Sequence, residues 1–358
     1  MEERIGKDMG KSETSGREVL LEVKHLKKYF PLSGGYFGKS AGELKAVDDV
    51  SFTLYKGEVL GLVGESGCGK TTLGRLIMRA YEATEGEVLF HLSEKGAAFE
   101  GQQVVDILKL DKKELKSIRK YMQMVFQDPY SSLNPRKTVM DIVAEPLIVN
   151  HMASGAALQE QVKSLVETVG LESKHIRRYP HAFSGGQRQR IGIARALATN
   201  PQMIICDEAV SALDVSVQAQ IINLLQELQE NMGLTYIFIS HGLSVVRHIS
   251  TRVAVMYVGK IVELADTDSL YSRPLHPYTE AILSAASDTG LEERRKRIIL
   301  EGEVANPANV PSGCPFHPRC RYAQEKCKKD IPSFKEVLPG HFCACHYAGE
   351  LELEGVQD

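Results

Sequence analysis

Apolar and polar positions alternate along residues 20–62 with the period of half-buried strands, interrupted by a Gly- and Ser-rich loop at residues 32–43. Shorter, continuous apolar runs then stand out: Val59-Leu60-Gly61-Leu62-Val63, Met203-Ile204-Ile205-Cys206 and Tyr236-Ile237-Phe238-Ile239. Each has the length and composition of a strand buried on both faces of a parallel sheet. Elsewhere the period lengthens to that of a helix. Leu73, Leu76 and Ile77 follow the first run, and Leu158, Val162, Leu165, Val166 and Val169 share one face within a mostly helical stretch at residues 128–199. A further helix is expected at residues 220–230, and residues 253–258 and 261–264, joined by Gly259-Lys260, read as a hairpin. The pattern predicts an α/β fold, without internal repeats.

The turn after the first apolar run carries chemistry. In Gly64-Glu65-Ser66-Gly67-Cys68-Gly69-Lys70-Thr71 the glycines let the backbone curl, so that successive amides point at phosphate oxygens, while the following helix N-terminus adds partial positive charge. Lys70 would reach the β- and γ-phosphates of ATP, the Thr71 hydroxyl would ligate Mg²⁺, and Thr72 would touch the α-phosphate.

A second element of the site is Asp207-Glu208, two adjacent carboxylates at the exit of a buried strand. They repel one another there unless a cation uses them. Asp207 reads as the Mg²⁺-side carboxylate and Glu208 as the group that polarises an attacking water. Gln127, after the short strand of Met124 and Val125, would sense Mg²⁺ and that water. His241, after the strand ending at Ile239, would bond the γ-phosphate. Asp214, in Ser211-Ala212-Leu213-Asp214, is placed to touch an opposite protomer.

Phe183-Ser184-Gly185-Gly186-Gln187 precedes a helix carrying Ile191, Ile193, Ala194 and Leu197, with Arg188, Arg190 and Arg195 interspersed. Ser184 and the neighbouring amides therefore sit at a positive helix end suited to a γ-phosphate. This stretch and the loop at residues 64–71 cannot reach one molecule of ATP within a single chain. The nucleotide is expected between two chains, whose closing and opening would drive something else.

With these motifs in this order, the chain resembles the ABC ATPases from about residue 20 to its end. More narrowly it is similar to the ATPase subunits of oligopeptide and dipeptide (peptide/nickel-type) ABC importers, through Phe126-Gln127-Asp128-Pro129-Tyr130-Ser131-Ser132-Leu133-Asn134-Pro135, Arg178-Tyr179-Pro180-His181, Asp214-Val215-Ser216-Val217-Gln218-Ala219-Gln220 and His276-Pro277-Tyr278-Thr279. Asp128-Pro129-Tyr130 is similar to the second of the two paralogous ATPases such importers often use. The resemblance implies a P-loop ABC nucleotide-binding domain at residues 18–275, with a RecA-like core, an antiparallel β subdomain and a helical subdomain at about 128–199. Residues 1–17 would form a mobile tail, and residues 276–358 a small Cys-rich C-terminal domain. It also places Phe30 where an aromatic stacks on adenine, with Tyr29 as its competitor. Gly242, Ala182 and Ala209 depart from the family's usual Asp, Glu and Pro, which bears on fine positioning and not on ATP binding.

The implied partners are an identical or paralogous ATPase subunit, two transmembrane permease subunits whose cytoplasmic helices sit beside Gln127, and, indirectly, an extracytoplasmic solute-binding protein. Composition agrees. The chain has 358 residues, 43% of them hydrophobic, enough for a full α/β core with an appended domain. Its net charge of -3 gives no general push toward nucleic acid. No apolar run approaches the roughly 20 residues of a membrane span and no apolar leader is expected, so if the chain works at a membrane another subunit must supply the path, in agreement with the peripheral subunit at the cytoplasmic face that the resemblance implies. Two other readings compete: a non-transport ABC ATPase acting on DNA or ribosomes, and a redox or metal sensor controlled by its cysteines. The first would carry a long coiled coil or a second cassette.

Five of the seven cysteines, Cys314, Cys320, Cys327, Cys343 and Cys345, lie near the C-terminus, whereas Cys68 and Cys206 have ready structural explanations. A cytoplasmic ATPase should not need disulfides, so clustered thiols point to metal. The spacers between Cys314, Cys320, Cys327 and Cys345 are five, six and seventeen residues, unlike the short paired spacers zinc favours and suited to a 4Fe-4S cluster. Zinc and free thiols are the alternatives. Gly313-Cys314-Pro315-Phe316-His317-Pro318-Arg319-Cys320 also matches the family's C-terminal cysteine motif, and the resemblance favours Cys345 over Cys343 because a small residue, Ala344, precedes it. None of these residues is expected to belong to the ATP constellation. The charged run at residues 292–297 reads as a solvated helix face.

Overall fold

The computed structural model describes residues 16–32, 42–92, 103–286, 298–303 and 305–356. The expected tail up to residue 15, residues 33–41 of the Gly/Ser loop and the charged run at 292–297 lie outside the described residues. Among the described residues the strands are β1 (Val19–Pro31), β2 (Glu43–Tyr55), β3 (Val59–Val63), β4 (Glu85–His91), β5 (Val104–Asp106), β6 (Met122–Val125), β7 (Met203–Asp207), β8 (Thr235–Ile239), β9 (Arg252–Tyr257), β10 (Lys260–Asp266), β11 (Lys335–Leu338) and β12 (His341–Cys343).

The continuous apolar runs form the centre of an eight-stranded sheet of order β11-β12-β10-β9-β3-β8-β7-β6. From β9 to β6 the strands are parallel. Every residue of β3, β7 and β8 is buried, which is why their sequences lack polar alternation. Ile204 and Ile237, with little or no exposed surface, belong to clusters on opposite faces of this sheet. Truncating Ile204 to Ala would cost about 2–5 kcal/mol, since its neighbours cannot collapse fully into the space. The alternating segments β1 and β2 join β4 and β5, two strands that the sequence pattern did not single out, in a separate antiparallel sheet, β2-β1-β4-β5.

Residues 128–199 fold into three main helices, Val139–Val149, Gly155–Thr168 and Gly185–Leu197, with 3-10 turns between them. Val162 and Val166 are buried, so the helical period read from the sequence marks the core face. The helix expected at 220–230 is longer, Val215–Met232: Asp214 caps its start and Gly233, at φ 64°, ends it. The β9–β10 hairpin turns at Val258-Gly259, one residue earlier than expected, with φ of 42° and 78° suited to the twist of the flanking strands.

The C-terminal region corrects an expectation. Among the described residues the expected small Cys-rich C-terminal domain does not stand apart: β12 pairs with β10 and β11 with β12, so these residues extend the main sheet. Phe316 and Tyr278 are buried in the same core cluster as Ile204 and Phe238. The physical reason is the open edge that β10 would otherwise leave, which an antiparallel strand satisfies. Cysteine spacing carries no information about that pairing.

Candidate functional site

β3 delivers the chain into the glycine loop, and the helix Lys70–Ile77 leaves it. Gly64 and Gly69 have φ of 147° and 108°, and a Cβ at either would stand 2.1 Å from a carbonyl oxygen, of Met256 and of Ala46 respectively. Only glycine permits this curl. Lys70 is buried, and its ammonium donates to the carbonyls of Gly64 at 2.7 Å and Glu65 at 3.0 Å. A buried cation paired only with neutral acceptors favours an anion beside it.

The Thr71 hydroxyl donates to Asp207 Oδ1 at 2.8 Å, joining the loop to the end of β7. Burial pushes the Asp207 carboxyl above its ordinary value, against the hydrogen bond from Thr71 and the charge of Arg75. A divalent cation held by Thr71 and Asp207 here would favour the ionised form. Glu208 follows at φ 47°, a left-handed conformation unusual for a side chain of its size. Its amide donates to the Ile239 carbonyl at 2.9 Å, and its own carbonyl accepts from the Ser211 amide at 3.1 Å and hydroxyl at 2.9 Å. Held in this way, its carboxylate accepts from Gln127 Nε2 at 2.5 Å and lies 3.8 Å from His241 Nδ1.

Phe30, Ser66, Gly67, Gly69, Lys70, Thr71, Thr72, Gln127 and Glu208 line one cavity of about 350 Å³. Phe30 forms part of its wall, whereas the Tyr29 hydroxyl donates to Asp48 at 2.5 Å outside it. Three residues of the predicted cradle do not line it. Cys68 is buried, Gly64 offers its carbonyl to Lys70, and Glu65 directs its carboxylate to Arg319.

The Ser184 stretch stands apart from this cavity within the chain. Ser184 caps the helix Gly185–Leu197: its Oγ accepts from the Gln187 amide at 3.3 Å, and Gln187 Oε1 accepts from the Ser184 amide at 3.0 Å. Asp214 likewise caps its own helix through the Val217 amide at 2.9 Å. Two arginines of the Ser184 helix reach back to the segment after Gln127, Arg188 stacking 3.9 Å over the Tyr130 ring and Arg195 donating to the Ser132 carbonyl at 2.7 Å. In sequence these arginines are only a charged helix face.

Sequence reasoning also missed Arg319 and Tyr278. Arg319 donates two bonds to the Glu65 carboxylate, at 2.8 and 3.0 Å, and the Tyr278 hydroxyl accepts from the Glu65 amide at 2.8 Å. Pro307 joins the cavity wall near Phe30, and its carbonyl accepts from the Lys45 amide at 3.1 Å. The expectation that the C-terminal residues stay clear of the nucleotide constellation is therefore corrected. Separations of hundreds of residues leave no local signal for such pairs.

Cys314, Cys320, Cys327 and Cys345 line one small cavity together with His276, Phe316, Tyr322, Tyr347 and Leu351, and Cys343 lies outside it. Burial pushes the thiols of Cys314, Cys320 and Cys345 up to about 11. Among the described residues no group of three or more His, Cys, Asp or Glu converges as one metal ion would need. The 4Fe-4S expectation thus has a shared cavity without a formed metal site, and the single-zinc alternative has no ligand group. No helix of the described residues is long and apolar enough to cross a membrane.

Comparison with known proteins agrees with this geometry. Residues 47–211 match the family described as ABC transporter, and residues 262–327 match the oligopeptide/dipeptide transporter C-terminal region. The chain is 55% identical to the oligopeptide transport ATP-binding protein AppF of Bacillus subtilis, over 93% of this chain and 98% of that one. It is 50% identical to OppF of Escherichia coli over 92% and 95% of the two chains, and 47% identical to the dipeptide transport protein DppF of Haemophilus influenzae over 94% and 99%. Its fold matches the dimeric ATP-binding cassette MJ0796 bound to ADP and Pi, with a TM-score of 0.58 and 28% identity over 69% of this chain and 99% of that one. With these relatives covering nearly the whole chain, one conclusion is left: the protein belongs to the ABC transporter ATPases, among the oligopeptide and dipeptide transport ATP-binding proteins.

Proposed function

We propose that this chain is the ATP-hydrolysing subunit of a membrane importer for peptides or a related solute. The observation that carries the reading is the convergence of Lys70, Thr71 with Asp207, and Gln127 with Glu208 on one cavity walled by Phe30. Lys70 and the loop amides would hold the phosphates, Thr71 and Asp207 would hold Mg²⁺, and Phe30 would stack on adenine. Glu208 would take the proton of the attacking water, oriented by Gln127 and His241.

A second subunit, identical or paralogous, would bring its Ser184 stretch over this cavity, as the dimeric cassette of similar fold makes reasonable. ATP would close the pair and hydrolysis reopen it. Arg188 and Arg195 grip the residues after Gln127, so the helical residues 128–199 would follow the state of the nucleotide and pass it to permease helices docked beside Gln127. The chain would act as a peripheral subunit at the cytoplasmic face, with residues 18–275 as its ATPase domain.

Reconstitution with its permeases and solute-binding protein tests the reading. Peptide uptake should require ATP and disappear with Lys70→Ala. Uptake that survives this substitution would overturn it.

The cavity shared by Cys314, Cys320, Cys327 and Cys345, with Cys343 excluded, favours a 4Fe-4S cluster as a further component. Each of the four cysteine thiolates would hold a different iron of such a cluster, so the four need not converge on one point. When bound, the cluster would supply one-electron redox chemistry and a cross-link among four chain segments.

A further inference from the structure

Glu65 is a carboxylate inside a loop whose task is to receive a polyanion. The charge has to be answered. Its side chain meets the Arg319 guanidinium in a two-pronged pair, with Nη1 to Oε2 at 2.8 Å and Nη2 to Oε1 at 3.0 Å. The Arg319 side chain is only 7% exposed and that of Glu65 28%, so solvent screens the pair weakly. The Glu65 amide is held by the Tyr278 hydroxyl and its carbonyl by the Lys70 ammonium. Three fixed points thus set the conformation of one residue, five positions before the phosphate-binding lysine.

We propose that Arg319 is a positioning residue for the ATP reaction: it neutralises Glu65 and turns its carboxylate away from the phosphates and from Lys70. Without the guanidinium, Glu65 would stand as an uncompensated negative charge near the triphosphate and within reach of the Lys70 ammonium. Arg319 ends the 3-10 turn His317–Arg319, between Cys314 and Cys320. The Cys314 carbonyl accepts from the His317 amide at 3.0 Å, so the cysteine cavity and the phosphate loop share this turn. Whatever displaces Cys314 or Cys320 would displace the clamp on Glu65. The C-terminal region is in this way a brace for the nucleotide site as well as an extension of the sheet.

MgATP affinity of the full-length chain, measured by titration, and the KM and kcat of the assembled complex provide the test. Arg319→Gln should raise Kd and KM about tenfold at low salt, as one unanswered charge near the phosphates implies, with kcat changed less than about twofold. Removing the carboxylate in the same chain, Arg319→Gln with Glu65→Gln, should recover most of the loss. A purely structural role for Arg319 would not be rescued. Arg319→Lys keeps the charge without the fork and should fall between. Wild-type affinity in Arg319→Gln, or a double variant no better than the single one, overturns the proposal. If Arg319→Gln does not fold, Arg319→Lys carries the test, and wild-type affinity there overturns it. The proposal rests on residues 64–71 binding phosphate; failure of that reading would show separately, as normal MgATP binding by Lys70→Ala.

Discussion

Gln127 Nε2 donates to Glu208 Oε2 at 2.5 Å across 81 residues of sequence, joining the exit of β6 to the exit of β7. The parallel pairing of these strands is what brings the two exits together. Glu208 has a left-handed backbone, at φ 47°, and lines the cavity. Two adjacent carboxylates acquire different partners, Thr71 for one and Gln127 for the other.

Glu208→Gln should leave ATP binding intact and lower turnover by about 10²–10⁴-fold, because an amide cannot accept the proton of the attacking water. A closed, ATP-bound dimer should accumulate on a sizing column. Steady-state hydrolysis within a few-fold of the parent would remove Glu208 from that role.

Ser184→Arg places a bulky cation at the N-terminus of the helix Gly185–Leu197, where the opposite subunit's γ-phosphate is expected. It also removes a cap. Ser184→Ala measures the loss of the cap alone, about 1 kcal/mol in a melt. Arginine should go further and abolish the trapped dimer while its own chain still binds ATP; trapped dimers at parental levels would refute a site shared between chains.

A cluster in the cysteine cavity should give anaerobically purified protein a broad visible absorbance and about four irons per chain. Cys320→Ser should bleach it, whereas Cys343→Ser should retain the iron, since Cys343 stands outside the cavity. Stoichiometric zinc without iron would contradict this. Because Arg319 adjoins Cys320, the Cys320→Ser chain should also bind MgATP more weakly.

His276 is fully buried, and burial lowers its value to about 3, below the 6.5 it would have in an unfolded chain. A base depressed in the fold contributes stability that is present above 6.5 and drains away as pH falls toward 3. Its Nδ1 accepts from the Tyr278 amide at 3.0 Å, a role asparagine can copy. In urea melts His276→Asn should therefore lose less stability than the parent between pH 6.5 and 5; equal slopes would show that other groups dominate acid unfolding.

Much of this protein was determined locally. The runs at residues 59–63, 203–206 and 236–239 are short, continuously apolar and rich in β-branched or aromatic residues, too short for a buried helix and suited to strands buried on both faces. The glycines, Lys70 and Thr71 likewise state their chemistry in sequence, since the loop is closed by neighbours along the chain. Tertiary structure alone decided what depends on distant segments meeting. It selected Phe30 over Tyr29 for the cavity wall, paired Glu65 with Arg319, and extended the main sheet with β12 where a small Cys-rich domain was expected. It also separated Cys343 from the cysteine cavity, though both it and Cys345 suit the same spacing. Periodicity reports which face of an element is buried, and nothing in it names the residue that arrives from hundreds of positions away.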